Sequence, residues 1–376
     1  MDFYYEMIPA LIVLTGSVIA WFAIARISSL RRKNYPEWRK AAEGTLLLLI
    51  ALCAIFVAVS SAFNAVALHH FRATHSPPGE TYLVAGHAMH IRCMGSGSPT
   101  LVLDAGLGND DLIWSGVQPA LAETTQVCSY DRAGFGWSDR LAEPRDADHI
   151  ASELHGLLAT AKIDGPVVLM GHSIAGLYER DYATRYPNQV AGLVFVDGST
   201  PLQERNARLR ALDQKGPPPS IQRLVSQFIF SVGIPRLYGA CSRSFPGFDA
   251  VAAKLLAEDR CHPQLGAIAA ELASFDRSGE ETLHTGPYGA LPILIFSQDP
   301  AKEAARGAAG GAQAWNQMQE DLKKLSTHSR RIIARGSSHY IQLDRLDLIE
   351  KEVPLFIGEI RGTTPQPRDY GATVTE

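Results

Sequence analysis

The stretch PVVLMGHSIAG, Pro166 to Gly176, constrains this chain more than any other part of its sequence. Pro166–Met170 is a short continuous apolar run, the pattern of a strand covered on both faces. Ala175–Tyr186 has the spacing of a helix. Only Gly171 to Ile174 separate the two, so the chain must turn sharply around Ser173. A serine on such a strand-to-helix turn has its hydroxyl raised above the sheet. The turn needs small residues two places before and two places after the serine, because larger side chains would collide there. Gly171 and Ala175 meet that need, although glycine is more usual at the second place. Gly176 adds room for the helix to approach the sheet. The competing reading of Ser173 is an ordinary helix N-cap.

The same alternation continues on either side. Thr81–Val84 and Met89–Met94 read as short strands about a turn at Gly86. Thr100–Asp104, Thr125–Tyr130, Val190–Val196, Leu291–Phe296 and Arg330–Ala334 read as further strands. Helical spacing occupies Asp111–Ala122, Ala147–Ala161, and segments near Ala312–Leu325 and Leu346–Gly358. Strands alternating with helices imply an α/β domain over 81–361, with a mostly parallel sheet and helices on both faces. Residues 201–285 break the rhythm with GPPPS at 216–220 and several helical stretches, and read as an inserted helical cap. Residues 362–376 read as a disordered tail.

The N-terminus is of another kind. Met7–Ala25 and Gly44–Leu68 are runs of 19 and 25 residues without a charge, and a spanning helix needs ~20 apolar residues. The acidic leader MDFYYE argues against reading the first run as a signal peptide. The loop 26–43 holds all six basic residues of the first 68. By the positive-inside rule that loop is cytoplasmic, which puts both termini, and everything after Leu68, on the far side. The expected arrangement is a two-helix membrane hairpin over 1–68, a linker over 69–80, and the α/β domain outside the cytoplasm.

Beyond residue 68 the chain carries 29 basic and 35 acidic groups. That mildly acidic balance argues against nucleic acid, whose binders need a basic footprint. Cys93, Cys128, Cys241 and Cys261 would lie where disulfides persist. Four cysteines allow three pairings; Cys241–Cys261 with Cys93–Cys128 is favoured, and four free thiols are the alternative. No cysteine or histidine cluster has zinc-ligand spacing, and no metal or cofactor is expected.

Residues 81–360 resemble the α/β-hydrolase superfamily along nearly their whole length. The resemblance rests on the Ser173 turn, on LVLDAGLGND (101–110) after the third strand, on SYDRAGFGWSD (129–139) after the fourth, and on the late histidine loop ARGSSHYIQLD (334–344). It implies an α/β-hydrolase fold and a serine hydrolase, and says little of substrate because the fold hosts many activities. It implies an oxyanion hole formed by the backbone N–H groups of Ile174 and Leu107, with Ala105-Gly106 where His-Gly is usual. The order serine, acid, histidine in this fold excludes His87, His90, His149 and His155, which precede Ser173, and His262 and His284 lie in the cap. His339 is the expected base, and His172 a structural or pocket-wall residue. Two aspartates compete for the acid. Asp299, in SQDP after LPILIF, is favoured although it comes about two residues early; Asp197, at the end of LVFV, is the rival. Asp131 and Arg132 are expected to hold their loop, and Asp110 and Asp111 to start a helix.

The function expected from this pattern is hydrolysis of a carboxylic ester or related small acyl substrate through an acyl-enzyme on Ser173. Acyl transfer, amide hydrolysis or cofactor-free peroxidation at the same site is the second reading, and an inactive membrane-tethered binding protein the third. Epoxide hydrolase and dehalogenase readings are disfavoured because those enzymes need a carboxylate where Ser173 stands. The bilayer is the expected partner of the N-terminal helices, and the oligomeric state is open.

Overall fold

The computed structural model describes residues 3–141, 144–201, 203, 219–245, 247–305, 309–365 and 370–376. The strands are β1 (Glu80–Val84), β2 (His87–Met94), β3 (Leu101–Asp104), β4 (Val127–Tyr130), β5 (Val167–His172), β6 (Val190–Val196), β7 (Ile293–Ser297), β8 (Ser329–Ile333) and β9 (Thr373–Thr375). The principal helices are α1 (Phe3–Leu30), α2 (Glu37–Thr74), α3 (Ala147–Thr160), α4 (Ala175–Arg185), α5 (Pro219–Val232), α6 (Ala250–Cys261), α7 (Leu265–Ala273), α8 (Phe275–Glu281), α9 (Ala309–Asp321) and α10 (Leu346–Arg361). The chain divides into two compact units, 1–76 with 217–243 and 257–263, and the remainder from 77 on.

The sheet of the larger unit runs β1-β2-β4-β3-β5-β6-β7-β8-β9. β1, β2 and β4 pair antiparallel, and every other neighbour is parallel. All residues of β3, β4, β5 and β7 are buried, which is why those strands are continuous apolar runs rather than alternating ones. α3 turns Ile150, Leu154, Leu157 and Leu158 inward, and its N-cap Asp146 accepts from the His149 N–H. Leu157, Leu169, Leu193, Phe195 and Ile295 join in one core cluster. Cys93 faces Cys128 across the β2–β4 pair and is disulfide-bonded to it.

Three expectations change here. The helix expected at Asp111–Ala122 is a 3-10 turn, Asp111–Trp114, followed by the short helix Gln118–Leu121; Asp110 caps the turn by accepting from the Leu112 N–H. The tail expected to be disordered instead supplies β9, which pairs parallel to β8 through Arg331↔Thr373 and Ile333↔Thr375. Its two β-branched threonines suit a strand, but three residues are too few to show one in sequence. The cap is the third: residues 202, 204–218 and 246 lie outside the described residues, and its helices are divided between the two units.

In the smaller unit α1 and α2 are each long and apolar enough to cross a membrane. They approach closely at Gly16, where an added Cβ would stand 2.9 Å from the Ala54 carbonyl oxygen; small residues permit such contact between apolar helices. Arg26 donates to Glu43 at 2.9 Å across the turn between them. α2 runs on to Thr74, so the first half of the expected linker, 69–74, is helical, and Pro77-Pro78 rather than the polarity of HHFRAT stop it. Within the same unit α5 packs on α2, and Cys241–Cys261 is a second disulfide.

Candidate active site

β5 ends at His172, and Ser173 takes φ +57°. A side chain pays for that left-handed conformation in strain, so the neighbours must hold it there. The Ser173 N–H donates to the Val196 carbonyl at 3.1 Å, and the Ser173 carbonyl accepts from Ser199 at 2.7 Å and Gly176 at 3.0 Å. The small residues around it have identifiable reasons. A Cβ at Gly171 would lie 2.6 Å from the Glu179 carboxyl carbon, and one at Gly176 would lie 3.1 Å from Gly198 and Ser199 backbone.

The late loop brings His339 to the serine. His339 Nε2 lies 2.8 Å from Ser173 Oγ, and His339 Nδ1 lies 2.6 Å from Asp197 Oδ2. Asp197 is fully buried, also has positive φ (+49°), and its Oδ1 accepts from the Gln298 N–H at 3.0 Å and the Trp315 indole N–H at 2.9 Å. Asp299, the aspartate the sequence favours, is turned to other work. It caps the short helix Pro300–Glu303 through the Ala301 N–H and accepts from the Gly336 N–H at 2.8 Å. That amide, above all, holds its carboxyl below the usual carboxylate range. So Ser173, His339 and Asp197 meet in one chain of hydrogen bonds, and Asp299 buttresses the histidine loop.

Other contacts hold that loop. Asp344 accepts from the Ser338 N–H and hydroxyl at 2.6 Å each. His172 donates from Nε2 to the His339 carbonyl at 2.9 Å. Burial, then the His339 charge, push the His172 pKa well below its ordinary value, so the ring stays neutral. This agrees with its expected structural role.

The loop after β3 lies against the serine. An added Cβ at Gly106 would stand 2.4 Å from His172 Nδ1 and 3.3 Å from the Ser173 Cβ. Arg132 holds this loop from behind. It pairs with Asp104 (2.5 Å) and Glu271 (2.7 Å), and donates to the Ala105 and Gly106 carbonyls. In a trans peptide the C=O and N–H point opposite ways, so fixing the Gly106 carbonyl on Arg132 turns the Leu107 N–H to the other side. Among the described residues neither the Leu107 N–H nor the Ile174 N–H has an acceptor within the chain. Sequence reasoning gave Arg132 a local role and missed Glu271 and Trp315, which are distant in sequence and carry no motif.

His90, Asp111 and Asp131 present one buried cluster with ligand-type atoms within 4.8 Å of one another. Apart from Asp111 Oδ1, which has no hydrogen-bond partner among the described residues, those groups are engaged with one another and with their neighbours. His90 Nδ1 meets Asp131 at 2.8 Å, Asp131 also accepts from the Asp111 and Trp137 N–H groups, and Arg92 pairs with Asp111 at 2.9 Å. Arg92 supplies the positive charge that two adjacent carboxylates need. Burial, then the Asp131 charge, push the Asp111 carboxyl up to about 7.

Glu179 lies beneath the Ser173 turn, fully buried, and neither carboxyl oxygen has a hydrogen-bond partner among the described residues. Burial, then Asp104, raise its pKa well above the ordinary value, so the folded state keeps a proton that the unfolded chain releases above pH ~4.3. A raised acid stabilises fully below that unfolded pKa, and the contribution is lost as pH rises toward the folded pKa. Glu179→Gln should therefore flatten the fall in stability above pH ~4.3, by up to about 1.4 kcal/mol per pH unit. Unfolding curves across that range check this; an unchanged slope means the carboxyl is ionised in the fold.

The chain belongs to the alpha/beta hydrolase family, whose pattern it matches over residues 101–351. It is 31% identical over 155 residues to an uncharacterised protein of Schizosaccharomyces pombe, covering 33% of this chain and 29% of that protein. It is 23% identical over 274 residues to an uncharacterised Bacillus subtilis protein, covering 72% and 88%. A putative lipase from Acinetobacter baumannii superposes with a TM-score of 0.57 at 18% identity, covering 80% of this chain and 97% of the other; at that identity the likeness is one of fold. Against relatives such as the S. pombe protein, the chain spans well under two thirds of their length.

Proposed function

We propose that the chain is a membrane-anchored serine hydrolase that cleaves a carboxylic ester or related acyl substrate through an acyl-enzyme on Ser173. The observation that carries this reading is the Ser173–His339–Asp197 relay, at 2.8 and 2.6 Å. His339 Nε2 takes the Ser173 proton as Oγ attacks the substrate carbonyl. The imidazolium so formed is stabilised by Asp197, which also keeps the ring in the tautomer with Nε2 free. The Leu107 and Ile174 N–H groups receive the oxyanion; one such donor is typically worth ~2.7–4 kcal/mol. His339 then returns its proton to the leaving group and activates the water that releases the acid product.

α1 and α2 anchor the enzyme in a bilayer, with the basic turn between them in the cytoplasm and the hydrolase domain on the opposite side. Both disulfides suit that side. A membrane-impermeant fluorophosphonate applied to intact cells or spheroplasts tests both halves. It should label the wild type and leave Ser173→Ala unlabelled. Labelling only after lysis overturns the external placement. No labelling even then, or equal labelling of Ser173→Ala, overturns the serine nucleophile.

A further inference from the structure

α5, in the insertion between β6 and β7, carries a stripe of large apolar side chains that none of the described residues covers. Ile221, Leu224, Val225, Phe228 and Ile229 are all exposed, Leu224 to 68%. Their spacing of i, i+3, i+4, i+7 and i+8 puts them on one side of the helix. A contiguous exposed apolar surface of this kind marks an interaction site.

Where α5 is attached says what covers it. It packs on α2 and α1 in the same compact unit, and Phe228 borders Ile12, Thr15, Ala54 and Val57 of the two long apolar helices. Its C-terminal turn joins α2 through three hydrogen bonds. Ser60 Oγ donates to the Val232 carbonyl at 2.7 Å, Ser61 Oγ to Ser231 at 3.0 Å, and Asn64 Nδ2 to Phe230 at 3.0 Å. These are last-turn carbonyls, which lack the usual partner four residues on; that of Phe230 also accepts from the Gly233 N–H at 3.1 Å. In water they would be hydrated. At hydrocarbon depth they require protein donors, and here α2 supplies one to each. The uncharged run of α2 continues from Ser60 and Asn64 to Leu68, a further ~6–12 Å at ~1.5 Å per residue. That depth matches the ~5–10 Å to which an interfacial helix sinks its apolar face. Charges return just beyond the helix end. Gly233 turns the chain at φ +79°, and Arg236 then pairs with Glu258 beside His262.

We infer that α5 is a third membrane element, lying in the interfacial layer of the bilayer beside α2 with its apolar stripe among the acyl chains. This rests on the reading of α1 and α2 as spanning helices. The consequence is that this part of the insertion between β6 and β7 is held by lipid rather than by water.

The test uses the full chain carrying Cys53→Ser, which removes the free cysteine and leaves both disulfides. Single cysteines at Leu224→Cys and Phe228→Cys, two exposed sites whose agreement guards against a misfolded variant, are labelled with nitrobenzoxadiazole. The proteins are reconstituted in phosphatidylcholine vesicles with and without doxyl-phosphatidylcholine. Leu14→Cys, on exposed α1 surface, reports the spanning helices, and Ala159→Cys, exposed on α3, reports the water side. The expected result is a loss of fluorescence to doxyl lipid at 224 and 228, comparable with that at 14 and absent at 159. Loss at 14 without loss at 224 and 228 overturns the inference and leaves the anchor standing. A blue-shifted label at 224 that doxyl lipid does not quench overturns it in favour of a second copy covering the stripe. No loss at 14 overturns the anchor and the inference together.

Discussion

Asp197→Asn is expected to lower turnover of an ester substrate by about 10,000-fold, while Asp299→Asn stays within roughly tenfold because asparagine caps a helix about as well as aspartate. The asymmetry follows from what each carboxylate touches. Oδ1 of Asp197 accepts from two N–H groups, Gln298 and Trp315, and Oδ2 faces His339 Nδ1. An asparagine there will turn its carbonyl to the two donors and its NH2 to the histidine. Nδ1 must then accept, the proton moves to Nε2, and the ring can no longer take one from Ser173. Asp299 faces only backbone amides, Ala301 and Gly336 among them, and is not in the relay. Steady-state kcat for the two variants decides it. Equal small losses would remove Asp197 from the reaction, and a large loss from Asp299→Asn alone would restore the aspartate of the loop after β7.

Arg132→Met is expected to cost about 3–5 kcal/mol of stability, the usual penalty for stranding buried charges. Arg132 is buried between Asp104 and Glu271, both buried too, and its Nη groups also hold the Ala105 and Gly106 carbonyls. Removing it leaves two carboxylates in a low dielectric without a cation, and releases the loop that bears the Leu107 N–H. Adding Glu271→Gln should recover part of the stability, because one stranded charge becomes neutral, but not the loop. Denaturant unfolding of both variants in detergent reads the first effect, and kcat on an ester reads the second. A change below about 0.5 kcal/mol in Arg132→Met, the range of an ordinary surface substitution, would mean that the carboxylates bind protons in the fold and need no partner.

Much of this architecture is legible before any coordinates. Continuous apolar runs announce β3, β5, β6 and β7 because strands buried on both faces have no polar side to show; Val190–Val196 is read to the residue. Ser173 and His339 stand where small-residue turns follow such strands. What escaped is of two kinds. Asp299 looked like the acid from its place in the loop after β7, although it comes early there, but Pro300 starts a helix immediately after it and the aspartate is used as a cap. Asp197 was in view as VFVDGS, yet nothing local says that Trp315, 118 residues on, donates to it. Long-range polar contacts have no period, so no window of sequence contains them. The stripe of α5 is periodic and was within the expected cap, but periodicity gives a face and not the surface it meets.

The paired tail has a further consequence for solubility. A sheet of nine strands in this order has two borders, and an unpaired border offers open backbone groups to any strand that passes. β8 would be such a border, since its other neighbour, β7, is buried. Thr373–Thr375 occupy it, and Lys323 Nζ fastens the approach by donating to the Gly371 carbonyl and the Thr373 hydroxyl. Three residues thus act as a selvage: the border they leave is only three residues long, where β8 would have left five.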